Sequence, residues 1–125
     1  MNAVTDPELL DESTLSELAG DDGTDIVGVL VEGFLEEAEG RIEAIRAATR
    51  EEDGQAVGFQ AHALKSTSAT YGAPRLSRLA AIIERAARDA DCDTVASALE
   101  DLDPVWQATL RAFRTRYLAR GSGAV

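Results

Sequence analysis

The chain contains 125 residues, of which 45 % are apolar and 5 % aromatic, and it carries a formal net charge of −11. This length suits one domain with a single core, and so acidic a chain is expected to repel nucleic acid and anionic lipid rather than bind them. No apolar run approaches the roughly 20 residues of a membrane span, and the first residues lack the basic and apolar regions of a signal peptide. Because the single cysteine, Cys92, cannot form an internal disulfide, we expect a cytoplasmic protein.

Apolar residues recur at intervals of three and four along most of the chain, which predicts an all-α protein with five helices. In chain order, the predicted spans are about 8–19, 24–49, 53–71, 74–89 and 93–118. The candidate capping residues, whose side-chain oxygens accept from free backbone N–H groups, are Asp11, Ser13, Thr24, Asp25, Asp93 and Thr94. Gly72 is expected to end the third helix, and Pro74 suits the first turn of the fourth. Pro104 is expected to kink or split the fifth helix.

Long amphipathic helices joined by short loops predict an antiparallel four-helix bundle, to which the short N-terminal helix is added. We expect this bundle to occupy residues 1–120 as one domain. Residues 121–125, which are small and rich in glycine, predict a disordered tail.

The only histidine and the only lysine of the chain, His62 and Lys65, lie three residues apart in the third predicted helix. Positions three apart share one helix face. A neutral imidazole is nucleophilic near neutral pH, and a neighbouring ammonium can sit beside a dianion attached to that ring. The pair lies in the less acidic part of the chain, since residues 58–125 hold seven acidic and nine basic side chains against 16 and three in residues 1–57. The pattern suggests a histidine that carries a phosphoryl group, although unequal charge alone is also typical of solvated helix faces.

The helical spacing predicts the direction in which His62 points. The buried stripe of its helix is expected to consist of Val57, Ala61, Leu64 and Ser68. At 100° per residue, His62 lies roughly 130° from the middle of that stripe. We therefore expect an exposed ring, and the alternative of a histidine inside the core is disfavoured.

Small and aromatic residues surround His62 on its helix face. Gly58 and Ser66 lie four residues to either side of it and leave room for a partner. Phe59 is predicted to be exposed, as in a contact surface, although one exposed aromatic side chain is also common in proteins. Together with Ala69, these residues form the predicted partner-binding surface.

Glu84 is the candidate for orienting the imidazole. In an antiparallel hairpin that turns at Gly72, His62 lies ten residues before the turn and Glu84 twelve residues after it, so the two stand at nearly the same height. A carboxylate there would accept a hydrogen bond from Nδ1–H of His62 and leave Nε2 as the nucleophile. The alternative is an ordinary surface glutamate, flanked by Arg85 and Arg88.

The run from Ala61 to Glu84 resembles the signature of histidine phosphotransfer (HPt) domains. That family has Ala-His-x-Leu-Lys-Gly-Ser-Ser, then Gly-Ala, Leu, a small residue or Cys, and Leu-Glu, and this chain has Ala-His-Ala-Leu-Lys-Ser-Thr-Ser, then Gly-Ala, Leu, Ala and Ile-Glu. The resemblance implies that His62 accepts a phosphoryl group from one aspartyl phosphate and passes it to another aspartate. It further implies that Lys65 neutralises the phosphoryl oxygens and that Glu84 orients the ring. Ser66 stands where the family usually has glycine, which bears on partner preference.

The partners that the resemblance implies are the receiver domains of response regulators and a hybrid histidine kinase. No cofactor is expected for the chain itself, and any Mg²⁺ should belong to the receiver partner. We expect a monomer that does not phosphorylate itself from ATP, because the sequence has no Gly-rich ATP-binding segment.

Three other functions fit parts of the pattern. The dimerisation domain of a sensor kinase usually has an acidic residue directly after its histidine and a proline soon afterwards, whereas this chain has Ala63 and then no proline until Pro74. A hydrolase that used Ser66 or Ser68 with His62 and Glu84 would need an oxyanion loop, which is not apparent in the sequence. A helical-bundle adaptor that binds receiver or kinase domains without carrying phosphate is the remaining alternative.

Overall fold

The structure, a computed structural model, describes residues 6–20 and 24–118. Five α-helices are followed by a π-helical segment, and their bounds are Glu12–Ala19 (α1), Thr24–Arg50 (α2), Gly54–Tyr71 (α3), Pro74–Arg88 (α4), Cys92–Phe113 (α5) and Arg114–Leu118 (the π-helical segment). These residues contain no β-strand, which confirms the predicted all-α class. In the described ranges, every helix falls short of the length or the apolar composition that a membrane span requires. The predicted tail at 121–125 lies outside the described residues.

Helices α2 to α5 form the predicted four-helix bundle, in which each helix packs against the next and α2 also contacts α5. Their apolar stripes meet in one buried cluster, whose fully buried large members include Val31, Phe34, Ile45, Leu64, Leu76, Ile83, Leu102 and Phe113. Burial of each such side chain contributes about 1.5–3 kcal/mol relative to exposure. The ring of Phe34 lies 5.4 Å from that of Tyr71 and 5.0 Å from that of Phe113, measured between centroids. Phe34 therefore joins α2 to both α3 and α5.

Aspartate side chains begin three of the helices. Asp11, Asp53 and Asp91 cap α1, α3 and α5, and each accepts a hydrogen bond from a backbone N–H of the first turn. Such a cap stabilises a helix by about 0.5–2 kcal/mol. The predicted caps of the fifth helix, Asp93 and Thr94, are therefore wrong. Thr94 is instead a partner of the true cap, because its hydroxyl donates to the Asp91 carboxylate at 2.6 Å.

The first helix begins later than its predicted span of 8–19, directly after Asp11, which was one of its two candidate caps. Residues 7–9 form a turn, closed by a hydrogen bond of 2.9 Å from the N–H of Leu9 to the carbonyl of Asp6. Asp11 then takes an extended conformation, with φ −97° and ψ 98°. Its N–H donates to the carbonyl of Gly72 at 2.7 Å. The helix can start only after Asp11, because this bond to another element holds the backbone out of helical geometry.

Gly72 forms the turn between α3 and α4, as predicted. It adopts the left-handed conformation, with φ 85° and ψ 41°, which glycine enters without steric cost. The following N–H, of Ala73, donates to the Ser68 carbonyl at 2.8 Å and closes the end of α3. Pro74 then occupies the first turn of α4. A Cβ added at Gly72 would lie only 2.7 Å from the carbonyl oxygen of Asp11, so the N-terminal segment also requires glycine here.

Pro104 was predicted to kink or split the fifth helix, and it does not split it. Helix α5 runs without interruption from Cys92 to Phe113. Proline cannot donate to the carbonyl four residues before it, which belongs to Glu100. Both residues are exposed, so water can hydrate that carbonyl and the helix tolerates the missing bond.

Candidate functional site

The hairpin of α3 and α4 carries the candidate site. The hydroxyl of Ser77 on α4 donates to the carbonyl of Lys65 on α3 at 3.0 Å, and this bond fixes the register of the two helices. Small residues allow the helices to approach closely. Ala61 is fully buried, and a Cβ added at Gly58 would meet the Cβ of Ala87 at an ordinary contact distance of 3.8 Å.

His62 projects from the exposed face of α3, as its spacing predicted, and its side chain is 60 % exposed. Its Nδ1 lies 2.9 Å from Oε2 of Glu84 on α4. The two residues therefore stand at the same height on the hairpin, as the register predicted. Nδ1 of the ring is therefore held by its contact with α4, while most of the ring faces solvent.

Glu84 is a buried carboxylate, and both of its oxygens contact positively charged side chains. Its side chain is only 7 % exposed, which excludes the alternative of an ordinary surface glutamate. Oε1 accepts a hydrogen bond from Nζ of Lys65 at 2.8 Å, and Oε2 accepts one from the guanidinium of Arg88 at 2.7 Å in addition to its contact with His62. The hydrogen bond from Lys65 is the main cause that lowers the pKa of Glu84 to about 2; desolvation opposes it, and the bond from His62 lowers the pKa further.

The charge of Glu84 decides the tautomer of His62. With a pKa of about 2, the carboxyl group is ionised near neutral pH, and an ionised carboxylate can only accept hydrogen bonds. Nδ1 of His62 must therefore be the donor, and Nε2 of the neutral ring keeps its lone pair. This arrangement presents a nucleophilic nitrogen to solvent. It also places a negative charge where it can stabilise the positive charge that the ring acquires when Nε2 forms a bond.

A groove of about 560 Å³ runs beside the imidazole between α3 and α4. Its lining residues are Gly54, Gln55, Gly58, Phe59, His62, Glu84, Ala87 and Arg88. The two glycines contribute no side chain to it, and the Phe59 side chain stands out from it with 67 % of the residue exposed. A partner can therefore reach the ring and contact an apolar surface at the same time.

The four predicted partner-binding residues lie on the same helix as His62. Gly58 and Phe59 line the groove, whereas Ser66 and Ala69 are exposed on α3 outside it. Their role in binding stays a prediction. As for metals, residues 6–20 and 24–118 bring together no cluster of three or more His, Cys, Asp or Glu side chains.

Sequence reasoning missed two features of this site, the contact of Arg88 with Glu84 and the burial of the carboxylate. A signal for the first was present, because residues four apart on a helix with opposite charges commonly pair. The contact of Lys65 was not predicted either, since its Nζ lies 2.8 Å from Oε1 of Glu84. Its role beside a phosphoryl group stays a prediction.

The lowered pKa of Glu84 predicts how stability depends on pH. A carboxyl group that titrates at about 2 when folded and at about 4.3 when unfolded favours folding above the unfolded value, and this contribution is lost as the pH falls through the folded value. Glu84→Gln should therefore lower the free energy of unfolding by roughly 1–3 kcal/mol near neutral pH, and the difference from wild type should shrink between about pH 4.5 and pH 2. Urea unfolding of both proteins across this range measures it. If the difference in free energy of unfolding between the two proteins did not change with pH, the lowered pKa of Glu84 would be contradicted.

Comparisons with known proteins converge on one family. The family model described as Hpt domain matches residues 29–115, a range that contains α3, α4 and the whole candidate site. The chain is 34 % identical over 84 residues to the phosphorelay protein LuxU of Vibrio vulnificus strain YJ016, and equally to LuxU of strain CMCP6; the match spans 67 % of this chain and 73 % of each relative. The crystal structure of histidine-containing phosphotransfer protein B (HptB) from Pseudomonas aeruginosa PAO1 has the same fold, with a TM-score of 0.80 and 25 % identity over 86 % of this chain and 93 % of that one.

Proposed function

Because the chain belongs to the Hpt domain family and is a histidine phosphotransfer protein of a phosphorelay, we propose that His62 is the residue that carries its phosphoryl group. Proteins of this family are phosphoryl carriers rather than classical enzymes, and receiver and kinase domains are their partners in general. The observation that supports His62 most directly is the contact of its Nδ1 with the ionised Glu84, which leaves Nε2 free on an exposed ring.

The proposed reaction is a reversible transfer between aspartate and histidine. The lone pair of Nε2 attacks the phosphorus of an aspartyl phosphate on a receiver domain, an N–P bond forms, and the bond from phosphorus to the aspartate oxygen breaks. The receiver aspartate leaves as a carboxylate, and no proton moves. The His62 ring becomes positively charged with Nδ1–H intact, and the Glu84 carboxylate stabilises that charge through the existing hydrogen bond. A second receiver aspartate takes the phosphoryl group by the reverse of these steps.

Lys65 supplies a cation for the phosphoryl oxygens. Its ammonium group has three donors, and the bond to Oε1 of Glu84 occupies one of them. The side chain is 35 % exposed and lies one turn from His62, so it has the freedom to turn toward a phosphoryl group on the ring. The site then offers two cations, Lys65 and Arg88, against the single negative charge of Glu84, which favours approach to the acidic pocket of a receiver.

The remaining parts of the proposal concern the partners. Receiver domains dock on the exposed face of α3, where Phe59 is the apolar contact beside the ring, and a hybrid histidine kinase supplies the phosphoryl group through its own receiver. The Mg²⁺ that phosphoryl transfer requires is held by the receiver. We also infer a monomeric carrier of the cytoplasm, where the exposed thiol of Cys92 stays reduced.

A transfer assay tests the proposed function. Receiver domains are loaded with radiolabelled phosphate from acetyl phosphate and mixed with the 125-residue chain, and the label is followed on gels. We expect label on this protein that is lost in acid and stable in base, as a phosphorylated imidazole requires, and no label when ATP alone is supplied. Binding of a receiver without any transfer of label would instead indicate an adaptor, and labelling from ATP would indicate a kinase.

Replacement of Lys65 by alanine is expected to slow transfer without unfolding the protein. Loss of one charge-assisted hydrogen bond to phosphate corresponds to about 1.5 kcal/mol, or roughly tenfold in rate, since the ammonium is partly exposed. Lys65→Arg serves as the matched control, because it keeps the positive charge. Transfer rates are measured with a labelled receiver and folding by circular dichroism. An unchanged rate in Lys65→Ala would remove this residue from the mechanism.

A further inference from the structure

Each carboxylate oxygen of Glu84 contacts a different cation. Lys65 bonds to Oε1 at 2.8 Å from α3, and Arg88 bonds to Oε2 at 2.7 Å from α4. Oε2 is also the atom that accepts from Nδ1 of His62. The arginine therefore holds the particular oxygen that orients the imidazole, whereas the lysine holds the other one.

The two contacts differ in how they respond to phosphorylation. If Lys65 turns toward a phosphoryl group, Oε1 of Glu84 loses its partner, although the carboxylate is almost fully buried. A buried charge without a partner is costly. Arg88 lies on the same helix as Glu84, one turn away, so its contact does not depend on the movement of Lys65. Its guanidinium has five donors in a planar fork that matches both oxygens of a carboxylate.

We propose that Arg88 is a positioning residue that keeps the Glu84 carboxylate on Nδ1 of His62 while Lys65 engages the phosphoryl group. The inference rests on the proposed function of His62 as the phosphoryl carrier, and it adds a residue that the motif does not include. Arg88 acts through Glu84 and takes no part in bond formation. Two readouts test it, the tautomer of the ring and the rate of transfer.

The chain offers a matched control for Arg88. Arg85 lies on the same helix, is 80 % exposed against 68 % for Arg88, and forms the same kind of pair four residues apart, with Asp89 at 3.5 Å. Arg85→Ala therefore removes an equal charge and an equal type of contact without touching Glu84. The variants to compare are Arg88→Ala, Arg88→Lys, Arg85→Ala and the double variant of Arg88→Ala with Lys65→Ala.

Ring nitrogen NMR gives the first readout, since His62 is the only histidine of the chain and its signals need no assignment. In wild type and Arg85→Ala, we expect the proton of the neutral ring on Nδ1. In Arg88→Ala, part of the population should carry it on Nε2, and Arg88→Lys should restore much of the wild-type spectrum. A spectrum of Arg88→Ala identical to that of Arg85→Ala would overturn the inference.

The transfer rate from a labelled receiver gives the second readout. We expect Arg88→Ala to be slower than Arg85→Ala by roughly two- to fivefold, because the guanidinium of this ion pair is largely exposed. In the Lys65→Ala background the loss should be larger, because Glu84 then has no cation left. Equal transfer rates for Arg88→Ala and Arg85→Ala would contradict the proposal. So would a double variant whose loss of rate equals the product of the losses in Arg88→Ala and Lys65→Ala. Failure of wild type to take any label would count against the proposed function itself, a result that is distinct from these.

Discussion

Replacement of His62 by glutamine is expected to abolish the acid-labile label completely. Glutamine has an amide of similar reach that can still donate to Glu84, but it has no nitrogen lone pair available for attack on phosphorus. Because the chain has no second histidine, no other imidazole can take over the role. The measurement is the transfer assay with a radiolabelled receiver, carried out with equal amounts of wild type and His62→Gln.

Loss of label in this variant must be separated from loss of folding or docking. Circular dichroism should give the same helical signal for both proteins, since the His62 side chain is 60 % exposed and lies outside the core. Calorimetric titration with the receiver should give similar Kd values. If His62→Gln bound the receiver and still acquired acid-labile label, another residue would be the phosphoryl carrier and the proposed site would be wrong.

Replacement of Gly72 by alanine is expected to destabilise this fold more than alanine at any other glycine of the described residues. The residue has φ 85°, a conformation that costs a side chain about 1–2 kcal/mol. The new Cβ would also lie 2.7 Å from the carbonyl oxygen of Asp11 and 3.1 Å from Cβ of Thr14. Relief of this overlap requires the N-terminal segment to move, at a further cost of about 1–3 kcal/mol. Urea unfolding should therefore show a loss of about 2–5 kcal/mol relative to wild type.

Gly40 provides the control for this substitution. It lies in α2, it is exposed, and a Cβ added there meets no atom within 4 Å among the described residues outside its own helix turn. Gly40→Ala should leave stability unchanged or raise it by up to about 1 kcal/mol, because alanine favours helix more than glycine does. Equal unfolding midpoints for Gly72→Ala and Gly40→Ala would show that the turn between α3 and α4 can adapt.

Most of the fold follows from local patterns in the sequence. The spacing of Val57, Ala61 and Leu64 predicted the buried face of α3, and Gly72 followed by Pro74 predicted the hairpin turn. The errors lie where a distant group decides local structure. Residues 8–11 have a helical pattern, but a hydrogen bond from Asp11 to a residue far along the chain prevents the helix from starting there.

In the candidate site, too, local patterns predicted some features and missed others. Helix periodicity predicted the exposure of His62, and counting residues along the hairpin predicted its contact with Glu84. The bond between Lys65 and Glu84 could not be predicted, because it depends on which of several rotamers a long side chain adopts. The contact of Arg88 with Glu84 could have been predicted, because the two residues are four apart on one helix. The burial of Glu84 could not, because the residue after the core position Ile83 is expected at the surface and its burial depends on how α3 packs against α4.

The imidazole and its three charged neighbours all lie on α3 and α4, so α2 and α5 take no direct part in contacts with Glu84. The sequences of α2 and α5 are constrained chiefly by the need to cover an apolar core, a requirement that many sequences satisfy. They are free to diversify during evolution while the central hairpin retains its chemistry. A family built in this way can share one architecture at low overall identity without any loss of the relay.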